Sequence, residues 1–275
     1  MLKQRLLTAA LLVPLVVWGI LALPTGWLAA LFGLFLLQGG WEWSRLMQLK
    51  SPAVRFAYVG LLLAALGAAW WLWQREDEAW LALPVLSLFW WLLAVAWVLG
   101  YPHSARRWSA PLVQGVVGLL VLLPAWMAVV GLHANGEQGP RLVLYLLSLI
   151  WVADSGAYFG GRRWGRRKLA PQVSPGKTQE GVFAALFLGT CYALLAASLF
   201  QLPNGQWLPF TLLSLVTVMF SVLGDLAESM FKRHAGVKDS GTLLPGHGGV
   251  LDRIDSVTAA APVFVVGLWL GDFQL

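Results

Sequence analysis

A run of about 20 mostly apolar residues is the length of helix that crosses a hydrocarbon layer. Nine such runs fill this chain, at roughly 6–24, 27–44, 56–74, 79–100, 110–133, 142–161, 181–200, 207–228 and 256–272. In lipid every backbone N–H and C=O needs a partner within the protein, and a helix supplies those partners within itself. The expected fold class is therefore all-α, a polytopic integral membrane protein of nine transmembrane helices. With 59% hydrophobic residues and a mean hydropathy of +0.70, a water-soluble domain is excluded. The first run follows a basic start (Lys3, Arg5) and is too long for the apolar core of a signal peptide, so it reads as an uncleaved first span.

The cations set the orientation. If the N-terminus lies inside, Lys3, Arg5, Arg45, Lys50, Arg55, Arg106, Arg107, Arg162, Arg163, Arg166, Arg167, Lys168, Lys177, Lys232, Arg233, Lys238 and Arg253 all fall on the inner side. That is 17 of the 19 Lys and Arg, leaving Arg75 and Arg141 outside. The acidic loop residues Glu76, Asp77, Glu78, Glu137 and Asp272 also fall outside. This split gives N-in and C-out. It also explains the pI of about 9.8 without nucleic acid as a partner. The run RRWGRRK from Arg162 to Lys168 reads first as an orientation and anionic-lipid device. The connections at 24–26, 74–78 and 201–206 are too short to hold a second domain on the outer side. The chain is one integrated membrane domain: spans one to five over 1–140, and spans six to nine over 141–275 with inner loops 162–180 and 229–255.

Charge inside the apolar mass points to chemistry, because a carboxylate near the bilayer centre costs about 2.5–3.5 kcal/mol on insertion scales. Asp225, Glu228, Asp239, Asp252 and Asp255 crowd into 225–256 with Lys232, Arg233, Lys238, Arg253 and two histidines. Five glycines and Pro245 between Gly236 and Gly249 describe a loop whose backbone can approach a ligand. Asp225, Glu228 and Lys232 at i, i+3, i+7 share one helix face. Asp154 lies about 12 Å from the inner boundary at 1.5 Å per residue, with Tyr158 one turn on, and both are expected to line an inner vestibule. Glu180 opens span seven. Carboxylates without a thiolate or histidine cluster select a hard cation, Mg²⁺ before Zn²⁺, and a second cation stays open. Asp225 and Asp252 suffice for Mg²⁺ that also borrows phosphate oxygens.

Several features have plainer readings. Ser174–Thr178 (SPGKT) looks like the tail of a phosphate-binding P-loop, but Pro171 stands where the first glycine belongs and no strand precedes it. Ser174, Lys177 and Thr178 still sit at a helix N-terminus, where N–H groups favour anions; a polar cap is the alternative for Thr178. Glu42 is the exception in a chemically poor first half, with Arg45 in reach as a helical i, i+3 partner. His103 and His133 read as structural, Cys191 as a small core residue, Gly156 and Gly160 as a helix contact, and the Trp pairs at 70–71 and 90–91 as interface anchors or packing.

The run S-M-F-K-R-(4)-K-D-S-G-(3)-P-G-H-G-G-V-L-D-R-I-D from Ser229 to Asp255 resembles the signature of the phosphatidate cytidylyltransferase, or CDP-diglyceride synthase, family. D-S-G-A-Y-F-G-G at 154–161 and S-P-G-K-T-Q-E-G at 174–181 are similar to two further blocks of it. The resemblance implies a membrane-embedded, all-helical homodimer, similar in its compact length to bacterial members, with a polar cavity facing the cytoplasm from the inner membrane. It implies that CTP and phosphatidate, drawn from the membrane lipid, give CDP-diacylglycerol and pyrophosphate with Mg²⁺. On it, Asp225 and Asp252 hold the metal with Glu228 in support; the charge pattern then leaves Lys177, Lys232, Arg233, Lys238 and Arg253 to hold phosphate oxygens, with a solvated, orientation-setting role the alternative for Arg233 and Lys238. Gly246, Gly248 and Gly249 present backbone amides to the nucleotide and His247 donates to a phosphate. Asp154, Tyr158, Ser174, Thr178 and Glu180 complete the substrate site. Asp239 and Asp255 are either partners of these cations or metal contacts.

Two other classes fit part of the pattern. A transporter of an anionic substrate uses carboxylates beside glycine-interrupted helices, but the chain has no inverted repeat and its strong charges lie on one side. A CTP-dependent lipid kinase would share nucleotide and metal and differ in its products.

Overall fold

The computed structural model describes residues 2–75, 79–243 and 248–273, with only the backbone given for 2–9, 11, 12 and 79. Gly246 and His247, and the acidic loop residues Glu76, Asp77 and Glu78, lie outside the described residues.

Ten helices follow one another: α1 (Leu2–Ala22), α2 (Thr25–Leu46), α3 (Pro52–Trp73), α4 (Ala82–Leu99), the single turn α5 (Ala105–Trp108), α6 (Pro111–His133), α7 (Gly139–Trp164), α8 (Gln179–Leu199), α9 (Asn204–His234) and α10 (Leu251–Gly271). Proline marks the starts: Pro52 and Pro111 open α3 and α6, where a missing N–H leaves no bond unmade. Seven of these helices (α3, α4 and α6 to α10) are long and apolar enough to cross a membrane. The protein is an all-helical membrane protein with one departure from the expected class. The segment expected as a plain loop folds into an antiparallel hairpin, β1 (Lys168–Ala170) with β2 (Ser174–Thr178), pairing Lys168 with Thr178 and Ala170 with Ser174. SPGKT is therefore an extended strand running straight into α8 rather than a phosphate-cradling loop.

Two buried clusters hold the bundle. The first joins α2, α3, α4, α6 and α9 through aromatic rings: Trp43 packs on Phe231, Phe231 on Trp108, and Trp108 on Trp97 and then Trp90. Trp90 and Trp91 are thus packing residues, 5% and 1% exposed, while Trp71 stays exposed under Arg75. The second joins α1, α7, α8, α9 and α10 around Leu142, Tyr145, Phe210 and Phe264. His133 is structural, as expected: its ring bonds Thr25 Oγ1 and the Ile20 carbonyl, both at 2.9 Å. Cys191 departs from the expected core position. It is exposed on α8, because a helix at the membrane edge turns apolar side chains toward lipid as readily as inward.

Small residues set the two helix crossings that matter for the polar end. A Cβ at Gly160 would strike Ala184, so α7 and α8 touch there. One at Gly224 would strike the Asp255 carbonyl, so α9 and α10 meet backbone to backbone beside Asp225. Gly160→Val is expected to lower stability by about 1–3 kcal/mol through overpacking, read as a fall in the thermal midpoint of the detergent-purified protein. Gly60→Val, where a Cβ meets nothing within 4 Å, is the control and should leave the midpoint in place.

Candidate active site

The crossing of α9 over α10 at Gly224 decides which side chains can meet. It brings the C-terminal half of α9, with Asp225, Glu228 and Lys232, against the first turn of α10, with Asp252 and Asp255. Lys232 Nζ lies 2.6 Å from Glu228 Oε2 and 2.6 Å from Asp252 Oδ1, with its side chain only 9% exposed. The ammonium is thus the shared counterion of two buried carboxylates, and it does not stand open to a phosphate as the sequence reading expected. Asp252 Oδ2 accepts from the backbone N–H of Ser240 at 2.9 Å and of Gly249 at 2.8 Å, with Ser240 Oγ at 3.0 Å.

Ser240, Gly248 and Gly249 are packed around that carboxylate. Gly248 has φ +83°, in the left-handed region, and a Cβ there would approach Asp252 Oδ2 to 2.7 Å. A Cβ at Gly249 would collide with Ser240 Oγ and Glu42 Oε2. These glycines serve close packing, and the Gly249 amide is engaged internally. The expectation that it faces the nucleotide is corrected on that point.

Glu42 is the residue that sequence reasoning placed too low. It is 1% exposed and its partner is not Arg45, whose side chain is exposed. Its carboxylate accepts from Gln38 Nε2 (3.1 Å), Ser240 Oγ (3.0 Å) and the N–H groups of Val250 (3.0 Å) and Leu251 (2.8 Å). It therefore fills the anion position at the N-terminus of α10, where orphan amides and the helix dipole favour negative charge. A glutamate between two tryptophans, Trp41 and Trp43, at the end of an apolar span was the signal for this. Nothing in the sequence says that its partners lie some two hundred positions later.

A second, more open layer covers this one. Lys177 Nζ on β2 pairs with Asp225 Oδ2 at 2.8 Å, with side chains 26% and 32% exposed, and Ser229 Oγ donates to Asp225 Oδ1. Asp154 on α7 lies within electrostatic range of Lys177, Asp225 and Arg253. The hairpin that carries Lys177 is fastened twice. Arg233 Nε donates to the Val173 carbonyl at 3.2 Å, and Glu180 accepts from the backbone N–H of Arg166 and Arg167. Glu180 and Arg233 thus hold the hairpin. Thr178 is the N-cap of α8, its Oγ1 accepting from Gly181 N, so the polar-cap alternative is what the structure has. Ser174 is half-buried in β2 and Lys238, Asp239 and Arg253 are exposed. Tyr158 is 58% exposed and takes a bond from Arg162, placing it on the outer surface of α7 rather than in an enclosed vestibule. Asp239 and Asp255 form no ion pair among the described residues; Asp255 caps its own neighbour, accepting from Ser256 N.

The donor set suits a hard cation. Among the described residues no three His, Cys, Asp or Glu side chains form a ready-made cage. One oxygen is nonetheless left over: Glu228 Oε1 is buried without a hydrogen-bond partner. It borders a cavity of about 10 Å³, room for about one water, lined by Glu228 and Asp255 with Trp43, Trp91 and Phe231. Mg²⁺ needs only one or two protein carboxylates when substrate phosphates supply the rest, and Asp225 and the unpartnered oxygen of Glu228 are donors of that kind.

Comparison with known proteins shows the family. The profile of the Cytidylyltransferase family matches residues 3–270. The chain is 44% identical over 273 residues to a phosphatidate cytidylyltransferase of Pseudomonas aeruginosa, covering 98% of this chain and 97% of that one. It is 41% identical to one of Haemophilus influenzae, covering 96% and 97%. A 129-residue stretch is 49% identical to part of one from Bacillus subtilis, 46% of each chain.

The two layers differ in what they give to stability. Lys232→Met leaves two buried carboxylates uncompensated and should destabilise by about 3–5 kcal/mol. Lys177→Met breaks a partly exposed pair and should change stability by no more than about 1 kcal/mol. Thermal unfolding of the two purified variants checks the order.

Proposed function

The chain belongs to the cytidylyltransferase family, and from that premise we propose that the polar end of α7 to α10 joins CTP to phosphatidate, giving CDP-diacylglycerol and pyrophosphate. The observation that carries the reading is the convergence of Asp154, Lys177, Asp225 and Arg253 in an open layer above the buried set Glu228, Lys232 and Asp252. A membrane enzyme whose lipid substrate carries its own nucleophile needs that arrangement and no serine or cysteine. A phosphate oxygen of phosphatidate attacks the α-phosphorus of CTP. The bond from that phosphorus to the oxygen bridging to the β-phosphate breaks, and pyrophosphate leaves with the electron pair.

What the protein must supply is alignment of two polyanions and relief of their repulsion. Lys177 and Arg253, accessible at the mouth, bind phosphate oxygens, with Lys238 beside them, while Arg233 holds the hairpin that presents Lys177. Lys177 exchanges Asp225 for phosphate as substrate enters. Asp154 orients the cations from α7. Lys232 keeps Asp252 and Glu228 fixed beneath the reacting groups. Asp225 and Asp252, with Glu228, would hold Mg²⁺, which supplies charge neutralisation between the triphosphate and the lipid phosphate when bound. The distribution of Lys and Arg supports a cytoplasm-facing site in a bacterial inner membrane with nine spans, N-in and C-out. The homodimer expected from the family resemblance is part of the same proposal.

The test is Asp225→Asn in purified protein assayed with CTP, phosphatidate and Mg²⁺. Loss of CDP-diacylglycerol formation by at least a hundredfold, with the thermal midpoint kept, is expected; a rate within threefold of the parent contradicts the role. Chelation of divalent cations should abolish product and Mg²⁺ should restore it. Pyrophosphate as co-product supports the transfer, whereas CDP would identify a kinase and neither product a transporter.

A further inference from the structure

We propose that Glu42, on α2 and outside the segment that carries every other charged group of the site, is a positioning residue for cytidylyl transfer. Four donors converge on its two oxygens: Gln38 Nε2 and Val250 N on Oε1, Ser240 Oγ and Leu251 N on Oε2. Three of the four are N–H groups, which can only donate, and the single Ser240 hydroxyl proton is shared between Glu42 Oε2 and Asp252 Oδ2, so the socket is shaped for an acceptor and not for a side chain that itself carries N–H. Val250 and Leu251 are the residues immediately before Asp252, and Ser240 touches Asp252 Oδ2 with both its N–H and its hydroxyl. Fixing those three groups fixes Asp252, and Asp252 in turn fixes Lys232 against Glu228.

The socket is shaped around this one side chain. A Cβ at Gly241 would stand 2.5 Å from Glu42 Oε1, with its three nearest neighbours all atoms of Glu42. A Cβ at Gly249 would collide with Glu42 Oε2. Ser240, Gly241 and Gly249 therefore close on the Glu42 carboxylate as on a bound anion. Glu42 acts on the reaction only through Asp252, and the inference rests on the reading that Asp252 serves it.

The experiment uses full-length protein, assayed with CTP and phosphatidate well below each variant's own unfolding midpoint. Glu42→Gln, which sets an amide N–H against two of the four donors, is expected to lower kcat at least tenfold while the KM for phosphatidate stays within twofold. Asp252→Asn is expected to be inactive, and adding Glu42→Gln to it should lower the residual rate no further. Gly241→Ala should lose at least tenfold in kcat, and Gly241→Ala with Glu42→Asp, whose shorter side chain vacates the space the new methyl needs, should regain at least threefold over Gly241→Ala alone. That rescue decides the matter should Glu42→Gln fail to fold. Glu42→Gln at the parent rate beside an inactive Asp252→Asn overturns the positioning role and leaves the reaction assignment standing. A compensated pair no better than Gly241→Ala overturns it too. Asp252→Asn at the parent rate overturns the role given to Asp252 and this inference with it.

Discussion

One ammonium ion shared by two carboxylates inside a hydrophobic bundle is the interaction on which the polar end of this protein depends. Charges withdrawn from water are tolerated only in close, fully bonded geometry, and Lys232 meets that condition by lying 2.6 Å from both Glu228 and Asp252. The demand then propagates. Asp252 needs partners for its other oxygen and takes them from Ser240 and Gly249; Ser240 in turn lies against Glu42. The result is one bonded chain, Glu228–Lys232–Asp252–Ser240–Glu42, linking α9, the loop before α10, α10 itself and α2.

The division between this buried chain and the open layer above it has a functional meaning. Groups that must stay in place while polyanions come and go are best held where water cannot compete, and here they are bonded to one another. Groups that must exchange partners during turnover, Lys177 and Asp225, form a pair that is about a quarter to a third exposed and weak enough to give way to phosphate. The hairpin that presents Lys177 is anchored by Arg233 and Glu180, which use their charge on backbone atoms. Cations that look alike in the sequence thus divide into structural and accessible ones according to what surrounds them.

The spans could be read because apolar length is a local property, and the face shared by Asp225, Glu228 and Lys232 could be read because helical spacing is local too. What escaped reading depends on contacts between distant segments. Arg45 was the partner read for Glu42 at helical spacing, yet one of its donors is Gln38 on the turn before and the other three come from residues 240–251. Gly248 and Gly249 announced a close approach without saying to what, and the answer is a carboxylate of the protein itself. Lys232 could not be told from Lys177 as a phosphate ligand, since only burial separates them. SPGKT as strand follows from a hairpin that three residues of β1 were too short to signal, whereas the cap at Thr178 was among the readings its place before α8 allowed. Cys191 and Tyr158 were misplaced for another reason: in a membrane protein an apolar neighbourhood on a helix does not imply an interior one.

The claim that the buried network is one unit is tested most directly by a double-mutant cycle on Glu228→Gln and Asp252→Asn, with unfolding free energies measured in detergent. Because both carboxylates share Lys232, the account predicts a coupling of at least about 1 kcal/mol between the two substitutions. Effects that add to within about 0.5 kcal/mol would contradict it.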